Sequence, residues 1–327
     1  MPKKFRSGLQ VLLSIAVALF LLYLVFKNIA WADFWAKALS VDYTWVLISI
    51  GLSVIAYYAR AYRWNILLEP LGYDLKASRT TLAVLIGYLA NLALPRLGEI
   101  TRCGILNRNE NVPLPSSFGT VVSERIIDMI TLLILIATCF LIEYDLLTTF
   151  LNSAYRDLNF PSWTFPVILS LGLFGTIFLI FFLKRLKKKE GKIASLVKEF
   201  LNGIASLKDI KRPVHFIIST IIIWIVYFLM SYIIVFSLPE SAHLGIGAGM
   251  MLLITGGIAI SLPVQSGFGT YHGMISGMLL LYAVPLETGI FLATLLHTSQ
   301  IIAVALFGSV ALIISFFLRR KQARTLE

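Results

Sequence analysis

Asn91-Leu92-Ala93-Leu94-Pro95-Arg96-Leu97-Gly98-Glu99 interrupts one apolar stretch of the chain, and Ile260-Ser261-Leu262-Pro263-Val264-Gln265-Ser266-Gly267-Phe268-Gly269 interrupts another. Both carry Leu-Pro with Gly a few residues on. Proline removes a backbone donor and clashes with the preceding turn. Each stretch therefore reads as a helix, a break and a returning helix. Broken apolar segments in corresponding positions of two halves point to the binding site of a transporter.

The surrounding composition belongs to a membrane. Apolar residues make up 58% of the chain and charged residues only 14%, with a mean hydropathy of +0.85; soluble domains carry about twice that charge. The net charge of +11 sits mostly in clusters flanking apolar runs. It therefore reads as topology rather than a nucleic-acid-binding face, and no nucleic-acid partner is expected. Cys103 and Cys139 suggest neither a disulfide framework nor a metal site. No phosphate-binding G-x-x-x-x-G-K-[ST] loop and no H-E-x-x-H motif occurs, so no cofactor, metal or catalytic residue is expected.

A spanning length of about 20 residues finds full spans near 9–28, 43–64, 117–142, 162–183, 213–236 and 287–317, with the broken stretches at 79–106 and 244–284. Basic clusters at Lys3, Lys4 and Arg6, at Arg60, Arg63, Lys76 and Arg79, at Lys184 to Lys189 and at Arg319 to Arg324 contrast with the acidic 143–161 loop. They fall on one side only if each broken stretch enters and leaves by the same face. The expected fold is an all-α polytopic membrane helix bundle, with six full spans and two oppositely oriented re-entrant helical hairpins. It forms a single domain over 1–327, N- and C-termini cytoplasmic. Pro95 precedes Gly119 by 24 residues and Pro263 precedes Thr288 by 25, which suggests an inverted repeat of 79–142 and 244–317. Between them, 184–212 reads as a basic amphipathic connector drawn to anionic lipid at the cytoplasmic surface. Gly245, Gly247 and Gly249 permit the close packing of a homo-oligomer.

Ionisable residues at membrane depth are costly and so mark function. The first repeat offers Arg96, Glu99, Arg102, Glu124, Arg125 and Asp128. Arg102 lies one turn beyond Glu99, within pairing reach, and Glu124 and Asp128 share a helix face. Arg96 and Arg125 leave cations beside a break, suited to a phosphate; the alternative is that these charges pair and hold the hairpin. The second repeat offers Gln265, Ser266, His272 and His297, whose histidines suit either proton relay or phosphate contact.

Leu94-Pro95-Arg96-Leu97-Gly98-Glu99-Ile100-Thr101-Arg102, with Val121-Val122-Ser123-Glu124-Arg125-Ile126-Ile127-Asp128, resembles the transmembrane region of bacterial lysylphosphatidylglycerol synthases, a wider flippase-like family. Gly267-Phe268-Gly269 and the final long helix resemble its second signature, with His297 where members often carry Arg. The resemblance implies movement of a phospholipid or lipid-linked polar headgroup across a bacterial cytoplasmic membrane, with a phosphate-bearing lipid as partner. It does not imply enzymatic aminoacyl transfer, because bifunctional members carry that activity in a separate soluble domain after the membrane region. Two other readings are a lipid-linked glycosyltransferase using Glu143 and Asp145, and a non-transporting partner of envelope biosynthesis enzymes.

Overall fold

The computed structural model describes residues 16–94, 96–150, 195, 198, 201–202, 205–262 and 264–324. These form helices joined by turns and short irregular segments, without strands. Helix α1 (Ala16–Phe26) meets α2 (Trp31–Ser40) at 89°. There follow α3 (Tyr43–Leu68), α4 (Ala77–Ala93), α5 (Leu97–Glu110), α6 (Leu114–Ile142), α7 (Pro213–Tyr232), α8 (Ile246–Ser261), α9 (Thr270–Leu280) and α10 (Leu286–Arg324). Four of the helices, α3, α6, α7 and α10, are long and apolar enough to cross a membrane. The bent α1–α2 pair passes the same test only as a unit. The expected span at 162–183 and most of the 184–212 connector lie outside the described residues.

Helix α2 was not anticipated. Ten residues carrying Asp33 and Lys37 among apolar side chains are too short and mixed to register as a span. An aromatic cluster fixes it: Phe34 packs edge-on to Phe291 of α10 at 4.9 Å, and Trp31 stacks on Phe26 at 5.9 Å. Lys37 also donates to Glu240 on the loop after α7 at 2.8 Å. That bond, above all, holds the Glu240 carboxyl below its ordinary range. Its contribution is complete above the unfolded carboxylate value and fades as pH falls through the lowered one. For so exposed a pair the effect is small, about 0–1 kcal/mol. Lys37→Ala is expected to flatten the acid limb of a melting-temperature-versus-pH curve and barely move its neutral plateau.

Helices α3 and α7 run antiparallel. The Asp42 N–H donates to the Ser237 carbonyl at 3.0 Å, Ser49 to the Met230 carbonyl at 2.9 Å, and Arg63 reaches Thr220 at 3.4 Å. The two broken stretches pack as helical hairpins. In the first, the Gly98 N–H donates to Asn91 Oδ1 at 2.6 Å. Gly87 of α4 lies so close to Gly98 and Arg102 of α5 that neither glycine has room for a side chain. In the second, Tyr271 of α9 covers Gly256 of α8, and Thr270 donates to the Ala259 carbonyl at 3.3 Å.

The apolar core has one cluster within the first half and a larger one that draws on both halves. One cluster joins Trp64, Leu68, Ala83, Val84, Cys103, Leu106 and Val121, from α3 to α6. A larger one joins Leu252, Tyr271, Ile275, Leu279, Phe291, Leu292 and Leu296, from α8 to α10, to Val46 of α3 and to Ile234 and Leu238 just after α7. Between halves, α4 packs on α10 and α8 on α6. Gly247 and Gly249 are taken up within the chain, by Glu143 at the end of α6 and by Tyr232 of α7.

Candidate functional site

The densest charge in the bundle lies where α3, α5 and α6 meet. Arg60 and Arg63 stand one turn apart on α3, Arg102 on α5, and Glu124 and Asp128 one turn apart on α6. Glu124 is fully buried. Its Oε1 receives Arg60 at 2.6 Å and Arg63 at 3.3 Å, while Oε2 lies 3.0 Å from Arg102 Nη1. Asp128 receives Arg60 at 2.7 Å and Arg63 at 2.6 Å. Each carboxylate is thus shared, and three guanidiniums face two carboxylates.

Neighbouring polar groups fix the arginines. Arg60 donates to the Tyr227 hydroxyl of α7 at 3.2 Å. Arg102 stacks over the Trp64 indole at 4.6 Å, a cation–π contact that strengthens out of water. Trp64 in turn donates to Thr120 at 2.9 Å, tying α3 to α6. At this site Arg102 Nη2, the Nε of Arg60 and Arg63 and the Tyr88 hydroxyl are buried with no hydrogen-bond partner among the described residues, and Glu124 Oε2 has only its ion pair with Arg102.

The sequence placed Glu124, Arg102 and Asp128 among the functional charges, and the structure brings them together. It pairs them differently. Arg102 turns to Glu124 rather than to its helical neighbour Glu99, because α6 presents a fully buried carboxylate to that face of α5. Glu99 instead accepts from Arg125 at 2.6 Å, so Arg125 is not a free cation; its side chain is about half exposed. Arg60 and Arg63 are the residues sequence reading missed as site members. They had the look of span-end markers, but Trp64, Ile66, Leu67 and Leu68 continue the buried helix beyond them. That apolar continuation was the available signal.

A second polar locus forms where the two breaks meet. Gln265 Nε2 donates to the Leu92 and Ala93 carbonyls at the C-terminal end of α4, both at 2.8 Å, and Ser266 reaches Leu92 at 3.4 Å. Arg96 reaches the Ser261 carbonyl at the end of α8, at 3.5 Å. Each break thus sends a donor to the unpaired carbonyls of the opposite hairpin. Arg96 and Ser266 both adopt left-handed backbone, φ 63° and 47°, which non-glycine residues rarely accept. His297 Nε2 lies 2.9 Å from the Ser266 carbonyl, and His272 packs edge-on to His297 at 5.2 Å. Arg96, Gln265, Ser266, His272 and His297 therefore belong to this locus rather than to the arginine cluster.

The lysylphosphatidylglycerol synthase TM region matches residues 11–308, and thus contains both loci. The chain belongs to that family. It is similar to a UPF0104 membrane protein of Methanocaldococcus jannaschii, 26% identical over 254 residues, covering 69% of this chain and 71% of that protein. It also resembles the glycosyltransferase AglD of Haloferax volcanii, 34% identical over 80 residues, but this covers only 24% of the chain and 13% of that enzyme. No solved structure matches. Membership of the family, with the apolar helices, makes this a multi-pass integral membrane protein.

Proposed function

We propose that the chain is a lipid translocase. It moves a phospholipid or another lipid-linked polar headgroup between leaflets, the headgroup passing between the α4–α5 and α8–α9 hairpins while the tails stay in the bilayer. The observation that carries this reading is the charge imbalance of the arginine cluster. Three buried guanidiniums on two carboxylates, with Arg102 Nη2 and the Tyr88 hydroxyl unpartnered, suit one more anionic group, and a phosphate matches the guanidinium fork. Arg102, Arg60 and Tyr88 would hold that phosphate. The half-exposed Arg125–Glu99 pair stands at the mouth, and Arg63, Glu124 and Asp128 keep the cluster assembled.

On this reading α4–α5 and α8–α9 are re-entrant hairpins of an inverted repeat. Three features support it. Equivalent helices α3 and α7 run antiparallel, the C-terminal ends of α4 and α8 converge, and the arms, at 11–17 residues, fall short of the ~20 a span needs. Broken backbone at that depth must be satisfied by protein or line a wet cavity, and the donors exchanged between the breaks satisfy it. On this reading the basic residues near both ends of the chain favour cytoplasmic termini. With the cytoplasm at the C-terminal end of α3, Arg60 lies about 26 Å from that helix's outer end by helical rise. The cluster then sits in the cytoplasmic half, where a headgroup from the inner leaflet reaches it first.

The test is reconstitution of the protein in liposomes with headgroup- and chain-labelled phosphatidylglycerol. Wild type is expected to expose inner-leaflet label. Arg102→Gln is expected to slow this by tenfold or more, since a hydrogen bond to a charged group is worth about 1.5–3 kcal/mol. It leaves two arginines on two carboxylates, so folding should survive. Unchanged movement in Arg102→Gln would sink the reading. So would no movement of any labelled lipid alongside divalent-dependent sugar transfer, which is what a glycosyltransferase would give.

A further inference from the structure

His272 of α9 and His297 of α10 are both buried, at 4% and 3% exposure. A carbonyl oxygen only accepts, so the contact with Ser266 fixes the proton on His297 Nε2 and leaves Nδ1 with a lone pair. His272 Nδ1 is itself buried and has no hydrogen-bond partner among the described residues. Phe26 of α1 lies against His272, and Phe268 of the break lies against His297. Tyr271 of α9 stacks on His297 and hydrogen-bonds Gln300 of α10. Among the described residues, the titratable groups facing the pair are thus Tyr271 and the two histidines themselves, with no carboxylate or cation paired to either ring.

The pair also has a mechanical connection. His297 holds the backbone of Ser266, and Ser266 and Gln265 make the bonds that tie the second break to the carbonyls of α4. A change of charge on this pair acts directly on the contact between the two hairpins.

We propose that His272 and His297 form a proton-binding site that opens the contact between the hairpins and couples lipid movement to a proton gradient. The coupling half of this inference rests on the translocase reading; the proton site does not. A proton adds to an imidazole lone pair from one side of the membrane and leaves, unchanged, to the other. No bond to the lipid forms or breaks. The pair holds one proton at a time, because two imidazolium rings this close repel. In the closed arrangement that proton has no counter-charge, and charge buried in apolar surroundings is costly. An arrangement that admits water holds it better, so protonation shifts the population toward that arrangement. Acidification opens the contact, and loss of the proton lets His297 return to Ser266.

Two measurements on the full-length protein in liposomes test this. Spin labels on Ile100→Cys of α5 and Ile258→Cys of α8, both exposed, in a Cys103→Ser, Cys139→Ser background, report hairpin separation by electron–electron resonance. Lowering the pH from about 8 to about 4, an interval extended below the ordinary histidine range because charge is costly in the closed arrangement, is expected to increase the longer-distance population in the parent. His297→Gln, whose amide can still donate to Ser266, and His272→Gln are expected to lose that response. In the second measurement, an imposed pH gradient is expected to speed labelled-phosphatidylglycerol movement several-fold in the parent and to have no effect in either variant. Distances indifferent to pH in the parent would overturn the proton site. Distances that respond while lipid moves equally fast with and without a gradient would overturn the coupling. Distances that respond while no lipid moves would uphold the proton site and overturn the translocase reading instead.

Discussion

Glu124→Ala is expected to cost about 3–5 kcal/mol of stability, the penalty for stripping one partner from a buried ion pair. Glu124 is fully enclosed and receives three arginines. Without it, Asp128 alone pairs with Arg60 and Arg63, Arg102 is left with no carboxylate, and none of the three can shed its proton. Asp128→Ala is expected to do less harm, because the Asp128 side chain keeps 14% exposure and water can reach the gap. Adding Arg102→Gln to Glu124→Ala removes one orphaned cation and should recover part of the loss. Thermal unfolding in detergent, followed by intrinsic tryptophan fluorescence, measures the series. If Glu124→Ala melts with the parent, the cluster does not hold α3, α5 and α6 together.

Gly98→Ala carries the second large effect. A β-carbon at Gly98 would drive into the Gly87 carbonyl of α4 and the Asn91 amide, and a β-carbon at Gly87 would meet the Gly98 carbonyl. Backbone cannot swing aside as a flexible side chain does, so the hairpin must part. Overpacking of this kind costs about 1–3 kcal/mol, and here the Asn91–Gly98 hydrogen bond is lost as well. Gly104→Ala on the same helix is the control. Nothing lies within 4 Å of its added carbon, and alanine is the better helix former by about 1 kcal/mol. Opposite shifts in melting temperature for the two variants are expected. Equal shifts would mean the hairpin is not closely packed.

The breaks were legible in the sequence because proline and glycine stand out in apolar runs, and the helices bounding them followed from length alone. Long, uniformly apolar helices such as α6 and α10 were located to within a few residues. What could not be read was partnership between distant residues. Arg102 has Glu99 as a local neighbour, yet a carboxylate 22 positions away takes it, since tertiary packing outweighs the few tenths of a kcal/mol of an intrahelical pair. Arg60 and Arg63 looked like span-end charges because counting basic residues at span ends ignores burial. Gln265 and Ser266 were visible as polar residues beside a break, but the Leu92 and Ala93 carbonyls they satisfy became visible only once the hairpins were placed. Helix α2 escaped because its polar residues hide a face that only the aromatic cluster reveals.

The crossed donors at the meeting of the breaks bear on how tightly the membrane stays sealed. Gln265 satisfies carbonyls of α4, while Arg96 reaches one of α8. Neither hairpin can therefore withdraw alone without stripping the other of a donor. A half-parted state would leave bare carbonyls at membrane depth, each costing several kcal/mol unless water reaches it. If the hairpins are re-entrant as proposed, that cost disfavours such states and the two hairpins are expected to part together. On the translocase reading, this coupling lets a polar headgroup pass without offering small ions a standing leak.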